Sequence, residues 1–282
     1  MATAASAQRG QPMNTEALPS DLAAWITLAR PLLAALPRFV AAFLVLPLLT
    51  RAVVPAQIRL AFLLVLVLVA YPGLAAQFTS ISNDWALWQW LGFLVKEVFI
   101  GALIGYAMGM SLWALTAVGD LIDTQAGFNN AQIFDPFGGH PRGPVSVLLT
   151  QLGVLLFVGF GGLQVFMQLL YESLLLWPPT SFWPDIGAAF RDFAVATAGS
   201  MLEIAVRLAA PVIAALLVVE LGIGLINRAA PQLNAFYFSM PIKAVTSLLV
   251  LALLMAHLVD VMRQRFTDSE RLLPALDRVW RR

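Results

Sequence analysis

Six long apolar segments dominate this chain, and the one over residues 143–171 contains no charged residue at all. About 20 consecutive apolar residues are enough for a helix to cross the hydrocarbon core of a membrane. The chain is 60% hydrophobic and 12% charged, whereas soluble domains have about 45–50% apolar and about 25% charged residues. The sequence therefore predicts an all-α protein that lies in a membrane or in a membrane-embedded assembly. The other segments cover residues 22–50, 60–77, 85–119, 193–226 and 236–259.

The apolar segments form a predicted helical core over residues 21–260, with a polar region at each end. Residues 1–20 are small and polar and lack the charged and apolar stretches of a signal peptide, so we expect a flexible tail. Residues 261–282 combine arginines with apolar residues at helical spacing. This pattern indicates an amphipathic helix on a membrane surface or a partner, or else a solvated tail. The apolar positions are Leu272, Leu273, Leu276 and Val279.

Charged residues within the apolar segments distinguish this chain from a simple lipid-facing bundle. A charge at the bilayer centre costs about 2.5–3.5 kcal/mol on insertion scales, so such residues usually face protein or water. Glu203 and Arg207 are four residues apart in the favourable order, which predicts an intrahelical ion pair. Pro31 and Pro37 are expected to kink or split the first segment. The other charges within helical patterns are Lys96, Glu97, Glu220 and Lys243.

The distribution of arginines conflicts with six simple membrane crossings. Arg51 and Arg59 follow the first segment and Arg228 follows the fifth, whereas further arginines lie in the C-terminal tail. Six crossings would place that tail opposite the two loops, although all three are expected on the cytoplasmic side. We therefore expect some segments to turn back as hairpins, or to be held by protein rather than by lipid.

Several kinds of chemistry are disfavoured by composition. The chain has no cysteine, so disulfides and thiolate metal sites are excluded. His140 and His257 are its only histidines and are far apart, which disfavours a zinc or haem site and a histidine-based nucleophile pair. A net charge of +1 gives no indication of nucleic-acid binding. We expect no cofactor, no metal and no enzymatic activity.

The most polar and glycine-rich stretch lies between two long apolar segments and reads GDLIDTQAGFNNAQIFDPFGGHPRGP (residues 119–144). It contains turn formers after Ala126, so the helix should end there. Non-helical backbone at membrane depth needs protein or water around it. Flexible glycines with apolar side chains suit a mobile stopper in a pore, and a plain ordered turn is the alternative. The apolar side chains are Phe128, Ile133, Phe134 and Phe137.

A second loop follows the fifth segment and reads LINRAAPQLNAFYFSMPIK (residues 225–243). Pro231 should stop the preceding helix near Ala229 or Ala230. Residues 121–134 and 225–238 share the residues at six of 14 aligned positions, counted along LIDTQAGFNNAQIF and LINRAAPQLNAFYF. This similarity is weak, and on these residues alone it is equally explained by an internal repeat or by chance.

Three motifs in these loops resemble the export-gate family of type III secretion. They are GDLIDTQAGF (119–128), FDP (134–136) and NRAAPQLNAF (227–236). The family comprises the flagellar FliR proteins and their injectisome counterparts, SctT, also called YscT, SpaR or HrcT. The resemblance covers about residues 22–260. The acidic Asp123 in IDTQAG is similar to the injectisome members and favours that branch.

The resemblance implies a multi-helix export-gate subunit of the bacterial inner membrane that looks like a fusion of SctR and SctS. The expected partners are SctR, SctS and SctU, the inner rod or needle, the basal-body rings and the unfolded polypeptides that are secreted. Many helices would then contact protein, which would explain both the internal charges and the arginine distribution.

The resemblance also implies roles for particular residues. Asp123 and Gln125 would position the root of a plug loop. Contacts with other subunits would come from the second loop, through Arg228, Pro231, Gln232, Asn234 and Phe236. The plug loop itself would comprise Gly127, Phe128, Asn129, Ile133, Phe134, Asp135, Pro136, Phe137, Gly138 and Gly139, with its apolar residues as the seal and its glycines as hinges.

The function predicted from these features is that of a pore and gate subunit for protein export, without chemistry of its own. A flagellar export protein of the FliR type is the alternative within the family. Outside it, broken helices with internal charges would also suit a secondary transporter for a small solute. A membrane-embedded enzyme would need paired acids or a histidine base in a cavity, and the sequence shows neither pattern.

Overall fold

A computed structural model of the chain describes residues 20–48, 55–78, 87–128, 133–135, 141–178, 188–232 and 235–268. The predicted all-α class is confirmed, with one pair of two-residue strands added. The elements are α1 (Ser20–Val45), α2 (Ala56–Phe78), α3 (Leu87–Ala126), β1 (Ile133–Phe134), β2 (Pro141–Arg142), α4 (Pro144–Gly159), α5 (Gly162–Leu176), α6 (Ala188–Ala229) and α7 (Ala235–Asp268).

Helix α3 is the centre of the fold. It has 40 residues and is therefore about 60 Å long at 1.5 Å per residue. Within its apolar window 67% of the residues are buried, compared with 17% in α2, 17% in α6 and 22% in α7. The peripheral helices thus leave most of their apolar surface for lipid or for other proteins, whereas α3 is surrounded by its own chain.

Glycines spaced four residues apart bring α1 against α3. Any side chain at Gly101 would collide with the carbonyl oxygen of Arg38, and any side chain at Gly105 with that of Ala42. Small residues at this spacing allow helix backbones to approach closely in membranes. The sequence GALIGYAMG (residues 101–109) carries this pattern, but it was not among the predicted features.

A buried ion pair fixes three helices at one level of the bundle. Arg38 on α1 and Glu97 on α3 are both fully buried, and their side chains meet through two contacts of 2.7 and 3.0 Å. The same guanidinium donates to the hydroxyl of Ser173 at 3.1 Å and to the carbonyl of Trp177 at 2.9 Å, at the end of α5. Arg38 therefore joins α1 and α5 to the central helix.

Lys96 completes this cluster. Its ammonium group lies 3.0 Å from Glu97 Oε1 and donates to the carbonyl oxygen of Pro178 at 3.1 Å. Lys96 and Glu97 were expected to face protein or water, and both are buried in protein. A buried charge is tolerated only when it is paired and hydrogen-bonded, and this cluster meets that condition.

The other charge prediction fails. Glu203 and Arg207 are both exposed on α6, and among the residues that the structure describes they form no ion pair with each other. Both side chains extend away from the core of the chain, and no contact with the described residues offsets the entropy of holding two long side chains together. Glu220 instead pairs across helices with Lys243 of α7, at 3.5 Å.

Helix breaks lie at other positions than the sequence suggested. Helix α1 runs through Pro31 and Pro37 without being split, because each proline removes only one helical hydrogen bond and α1 packs tightly on α3. The uncharged segment 143–171, in contrast, is bent by 66° between α4 and α5. Gly161 has a φ of 79° at this bend, which is a left-handed conformation that favours glycine.

Four described helices, α2, α3, α6 and α7, are long and apolar enough to cross a membrane. The number is five if the bent pair α4–α5 counts as one span. Helix α7 extends to Asp268 and so includes the first residues assigned to the C-terminal tail. Residues 1–19 and 269–282 lie outside the described part of the chain.

Removing the carboxylate charge of the buried cluster should destabilise the fold. Glu97→Gln would leave Arg38 and Lys96 as uncompensated buried charges, so we expect the free energy of unfolding to fall by about 3–5 kcal/mol. Thermal unfolding of the purified protein in detergent measures this change. Glu203→Gln on the exposed face of α6 is the matched control, with an effect within about 0.5 kcal/mol. Equal effects of the two substitutions would contradict the structural role of the cluster.

Candidate functional site: the loop between α3 and α4

The candidate site is the stretch between α3 and α4, here called the α3–α4 loop (residues 127–143), of which residues 127–128, 133–135 and 141–143 are described. Its two short strands pair antiparallel, with Ile133 opposite Arg142 and Phe134 opposite Pro141. Five residues predicted for the plug lie outside the described part of the chain. They are Asn129, Pro136, Phe137, Gly138 and Gly139.

Gly127 ends α3 where the sequence predicted the helix to stop. Its φ of 82° lies in the left-handed region, and its N–H donates to the carbonyl of Thr124 at 3.3 Å. A left-handed glycine is the usual way to end a helix, because other residues are strained there. This conformation turns the chain out of the helix, while a hinge motion at Gly127 stays a prediction.

Asp123 holds the far end of the loop through the N-terminus of α4. One carboxylate oxygen accepts the N–H of Val145 at 3.1 Å and the other accepts that of Ser146 at 2.8 Å. Helix α4 has no side-chain cap of its own, because Gly143 occupies the capping position. The carboxylate also meets the positive end of the α4 dipole. Asp123 therefore caps a different helix from the one that carries it.

Gly143 is required by this arrangement. Any side chain at position 143 would collide with the carboxylate of Asp123, which is itself buried at 2% exposure. The place of Asp123 also explains why an acid lies near the C-terminus of α3, where the dipole of its own helix disfavours it. The neighbouring N-terminus of α4 reverses that preference.

Arg142 links the loop to α3 and closes the strand pair. Its guanidinium lies 3.3 Å from Asp120 Oδ2 on α3 and 3.7 Å from Asp135 Oδ2, directly after β1. Asp135 is buried at 1% exposure, whereas the side chain of Asp120 is about half exposed. The sequence analysis missed Arg142, although its position between glycine and proline in the loop is visible in the sequence.

Gln125 connects the loop root to α6 and α7. Its side-chain amide donates to Glu220 Oε2 at 3.2 Å, and the same oxygen lies 3.5 Å from the ammonium of Lys243. The two predicted root residues thus act on different neighbours: Asp123 contacts α4 and Gln125 contacts α6. The loop root is therefore held by α4 and α6 directly, and α7 is linked to it through the Lys243–Glu220 pair.

Hydroxyl side chains join α3 and α4 below the loop. Thr116 and Thr150 lie 2.9 Å apart through their hydroxyl groups, and the Ser146 hydroxyl donates to the carbonyl of Thr116 at 3.3 Å. A side chain at Gly119 would collide with the backbone of Ser146. This close, polar contact was not predicted, because its residues are far apart in the sequence and individually unremarkable.

The apolar residues of the loop do not all point the same way. Phe128 is half buried and packs against the hydrophobic core, whereas Ile133 is 47% exposed. Only the backbone of Phe134 is described, in β1. Of the residues proposed as a seal, Ile133 is therefore presented outward and Phe128 is part of the loop root.

The second loop lies at the same end of the bundle. Helices α3 and α6 run parallel, since Tyr106 donates to the Ala194 carbonyl and Gln125 to Glu220 further along both helices. The predicted contact residues Arg228, Pro231 and Gln232 are exposed there. Asn234 and the side chain of Phe236 lie outside the described residues. Their subunit contacts stay a prediction.

The described residues contain no group of three His, Cys, Asp or Glu side chains that could hold a metal ion. Asp120, Asp123 and Asp135 lie near one another in the loop region, but each contacts a cation or backbone N–H groups of the chain itself. The arrangement is suited to holding a loop in place.

Comparison with known proteins gives consistent matches over most of the chain. A family model described as bacterial export proteins, family 1, matches residues 30–269. Yop proteins translocation protein T of Yersinia pestis is 32% identical over 257 residues, covering 88% of this chain and 97% of that protein. Surface presentation of antigens protein SpaR of Shigella flexneri is 28% identical over 211 residues, covering 74% and 78%.

A flagellar protein is similar to a comparable degree. Flagellar biosynthetic protein FliR of Pectobacterium carotovorum subsp. carotovorum is 31% identical over 218 residues, covering 77% of this chain and 81% of that protein. The match to the Yersinia protein thus extends further along both chains.

Because Asp123 caps α4, its loss should lower the free energy of unfolding more than the loss of the neighbouring Asp120. Asp123→Ala would leave two buried N–H groups of α4 without an acceptor, and we expect a loss of about 1–2 kcal/mol in the free energy of unfolding. Asp120→Ala, which removes an exposed ion pair from the same helix, should cost less than about 1 kcal/mol. Denaturant unfolding of both variants checks this order, and a larger effect of Asp120→Ala would refute it.

Proposed function

The chain belongs to the bacterial export proteins, family 1, and we propose that it is a gate and conduit subunit of a type III secretion export apparatus. The resemblance predicted from the loop motifs is confirmed at the level of the family. Its relatives include proteins named for Yop translocation, for presentation of surface antigens and for flagellar biosynthesis. Membership in a type III or flagellar export apparatus follows from these matches.

The injectisome branch is favoured over the flagellar one. The Yersinia translocation protein matches 97% of its own length, whereas the flagellar FliR protein matches 81%. The acidic residue of the IDTQAG motif, Asp123, is the second indication, since it is similar to the injectisome members. A flagellar export protein remains the second candidate, supported by a similar sequence identity.

The observation that carries the gate role is the way the α3–α4 loop is held. Asp123, Arg142 and Gln125 fix its two ends to α3, α4 and α6. Between these ends the described backbone is only a pair of two-residue strands. A segment that is held at its two ends, and whose described strands have two residues each, can move without unfolding the helices that carry it.

We propose that this loop is the plug of the closed pore. Ile133, Phe134 and Phe137 would supply the apolar seal, with Phe128 packed at the root. Gly127, Gly138 and Gly139 would supply the conformational freedom for opening. Opening would separate β1 from β2 and release Asp135 from Arg142, while the cap of α4 by Asp123 stays in place.

Partners and location follow from the same proposal. The apolar outward faces of α2, α6 and α7 need lipid or other subunits as neighbours. In the bacterial inner membrane these subunits would include SctR-, SctS- and SctU-type gate proteins. Arg228, Pro231 and Gln232 would be among the residues that contact them. A shape like a fusion of SctR and SctS would let one chain contact both SctR and SctS. The rod or needle and the surrounding rings would lie beyond, and unfolded polypeptides would pass through.

The chain would contribute no catalysis of its own. The alternative function outside the family is transport of a small solute, and a broken span such as α4–α5 is a feature of such transporters. The charged side chains buried between the helices of this chain, however, are already paired. Arg38, Glu97 and Lys96 form one cluster that binds the helices together, and Asp123 caps α4. These groups are therefore not available to a solute.

Loss of the gene in its host tests the proposed function. We expect needle-type and effector proteins to disappear from the culture medium, accumulate inside the cells and return on complementation, while swimming is unaffected. Immunoblots of medium and cells, with a swimming assay in parallel, measure this. Loss of swimming with normal effector secretion would favour the flagellar alternative, and normal results in both assays would overturn the proposed function.

A further inference from the structure

Helix α5 carries polar residues on its outward face, although it belongs to an apolar, bent span. Gln164, Gln168 and Glu172 follow one another at intervals of four residues, which places them along one side of a helix. Gln164 and Gln168 are exposed and Glu172 is partly exposed. We call these three residues the α5 polar stripe. The stripe extends over about 12 Å, at 1.5 Å per residue.

The opposite side of α5 shows that this orientation is fixed. Phe166, Leu169, Leu170 and Leu174 are buried on that side, and Phe166 packs edge-on against Phe43 of α1 with ring centroids 5.1 Å apart. Rotating α5 to hide the stripe would expose these side chains. The polar residues therefore face outward because the apolar ones hold the helix to the core.

The hydrogen-bonding groups of the stripe are only partly used within the chain. Gln168 donates to Glu172 Oε1 at 2.7 Å, which leaves the remaining oxygen atoms of both side chains without a described partner. Gln164 has no hydrogen bond to any residue that the structure describes. A row of amide and carboxylate groups facing lipid is unfavourable, so its surroundings must supply hydrogen bonds.

The neighbouring helix α2 has an apolar exposed face, which is compatible with lipid. Tyr171 of α5 donates to the carbonyl of Leu66 on α2 at 3.1 Å, so the two helices are adjacent. The outward residues of α2 are apolar, among them Val65 and Leu68, each 58% exposed. Over residues 164–172 the outward face of α5 is therefore polar, with the apolar Leu175 exposed one turn further on, whereas the exposed face of α2 beside it is apolar.

We propose that the α5 polar stripe faces the aqueous path of the exported polypeptide, whereas α2 faces lipid or apolar protein. This inference rests on the proposed export function. Neutral amides can donate to and accept from any extended backbone without strong preference, which suits a surface that unrelated chains pass. Glu172 adds one negative charge at the end of the stripe.

Cysteine accessibility tests the assignment, because the natural chain has no cysteine. Gln164→Cys and Gln168→Cys are compared with Leu68→Cys on α2 in the assembled, secreting apparatus. A charged methanethiosulfonate reagent probes water exposure, and N-ethylmaleimide added after denaturation verifies that each thiol is present. We expect the two stripe cysteines to react with the charged reagent at least about tenfold faster than Leu68→Cys, since apolar surroundings suppress the thiolate.

A stalled export substrate supplies the second measurement. A secreted protein fused to a domain that cannot unfold should slow the reaction of both stripe cysteines and leave Leu68→Cys unchanged. Reaction as slow as that of Leu68→Cys, cross-linking of the stripe to a partner subunit, or reaction that a stalled substrate does not slow would each overturn the proposal. Secretion by the same strains separates the two claims: normal secretion with unreactive cysteines refutes the stripe alone, and unchanged secretion without the gene refutes the export function.

Discussion

The fold depends on two buried carboxylates near opposite ends of the central helix α3. Glu97 binds the guanidinium of Arg38 and the ammonium of Lys96, and thereby attaches α1 and the end of α5. Asp123 accepts two backbone N–H groups of α4. In both places a charge that would be costly in an apolar interior is offset by groups from another helix. The long helix thus has a defined neighbour near each end.

The position of the α3–α4 loop is set by the contact between Asp123 and the start of α4. Because Asp123 and Gly143 meet without space for a side chain between them, the end of α3 and the start of α4 are held at one distance. Arg142 then ties the strand pair back to α3. Both ends of the loop are consequently held in place by side-chain contacts with α3 and α4.

The sequence was sufficient for the class and for the place where helices end at polar loops. Long uncharged segments predict helices because a helix satisfies its backbone hydrogen bonds within the segment, and about 20 apolar residues match the length of a spanning helix rather than that of a strand. Glycine at 127 marks the end of α3. The sequence was misleading where tertiary contacts determine whether a helix continues or bends. Pro31 and Pro37 do not split α1, and Gly161 bends an uncharged segment that looked like one span. Arg142 and the Thr116–Thr150 contact join residues distant in sequence, so no local pattern reveals them.

The permeability of the assembled, idle gate to small ions tests the plug role most directly. Replacing residues 129–140 with a glycine–serine linker of the same length removes the apolar seal and keeps Asp123, Arg142 and Gly143 in place. We expect this complex to assemble with its partner subunits and to conduct ions across the inner membrane, whereas the natural complex is tight. A linker variant that assembles normally and remains as tight as the natural complex would contradict a plug formed by this loop.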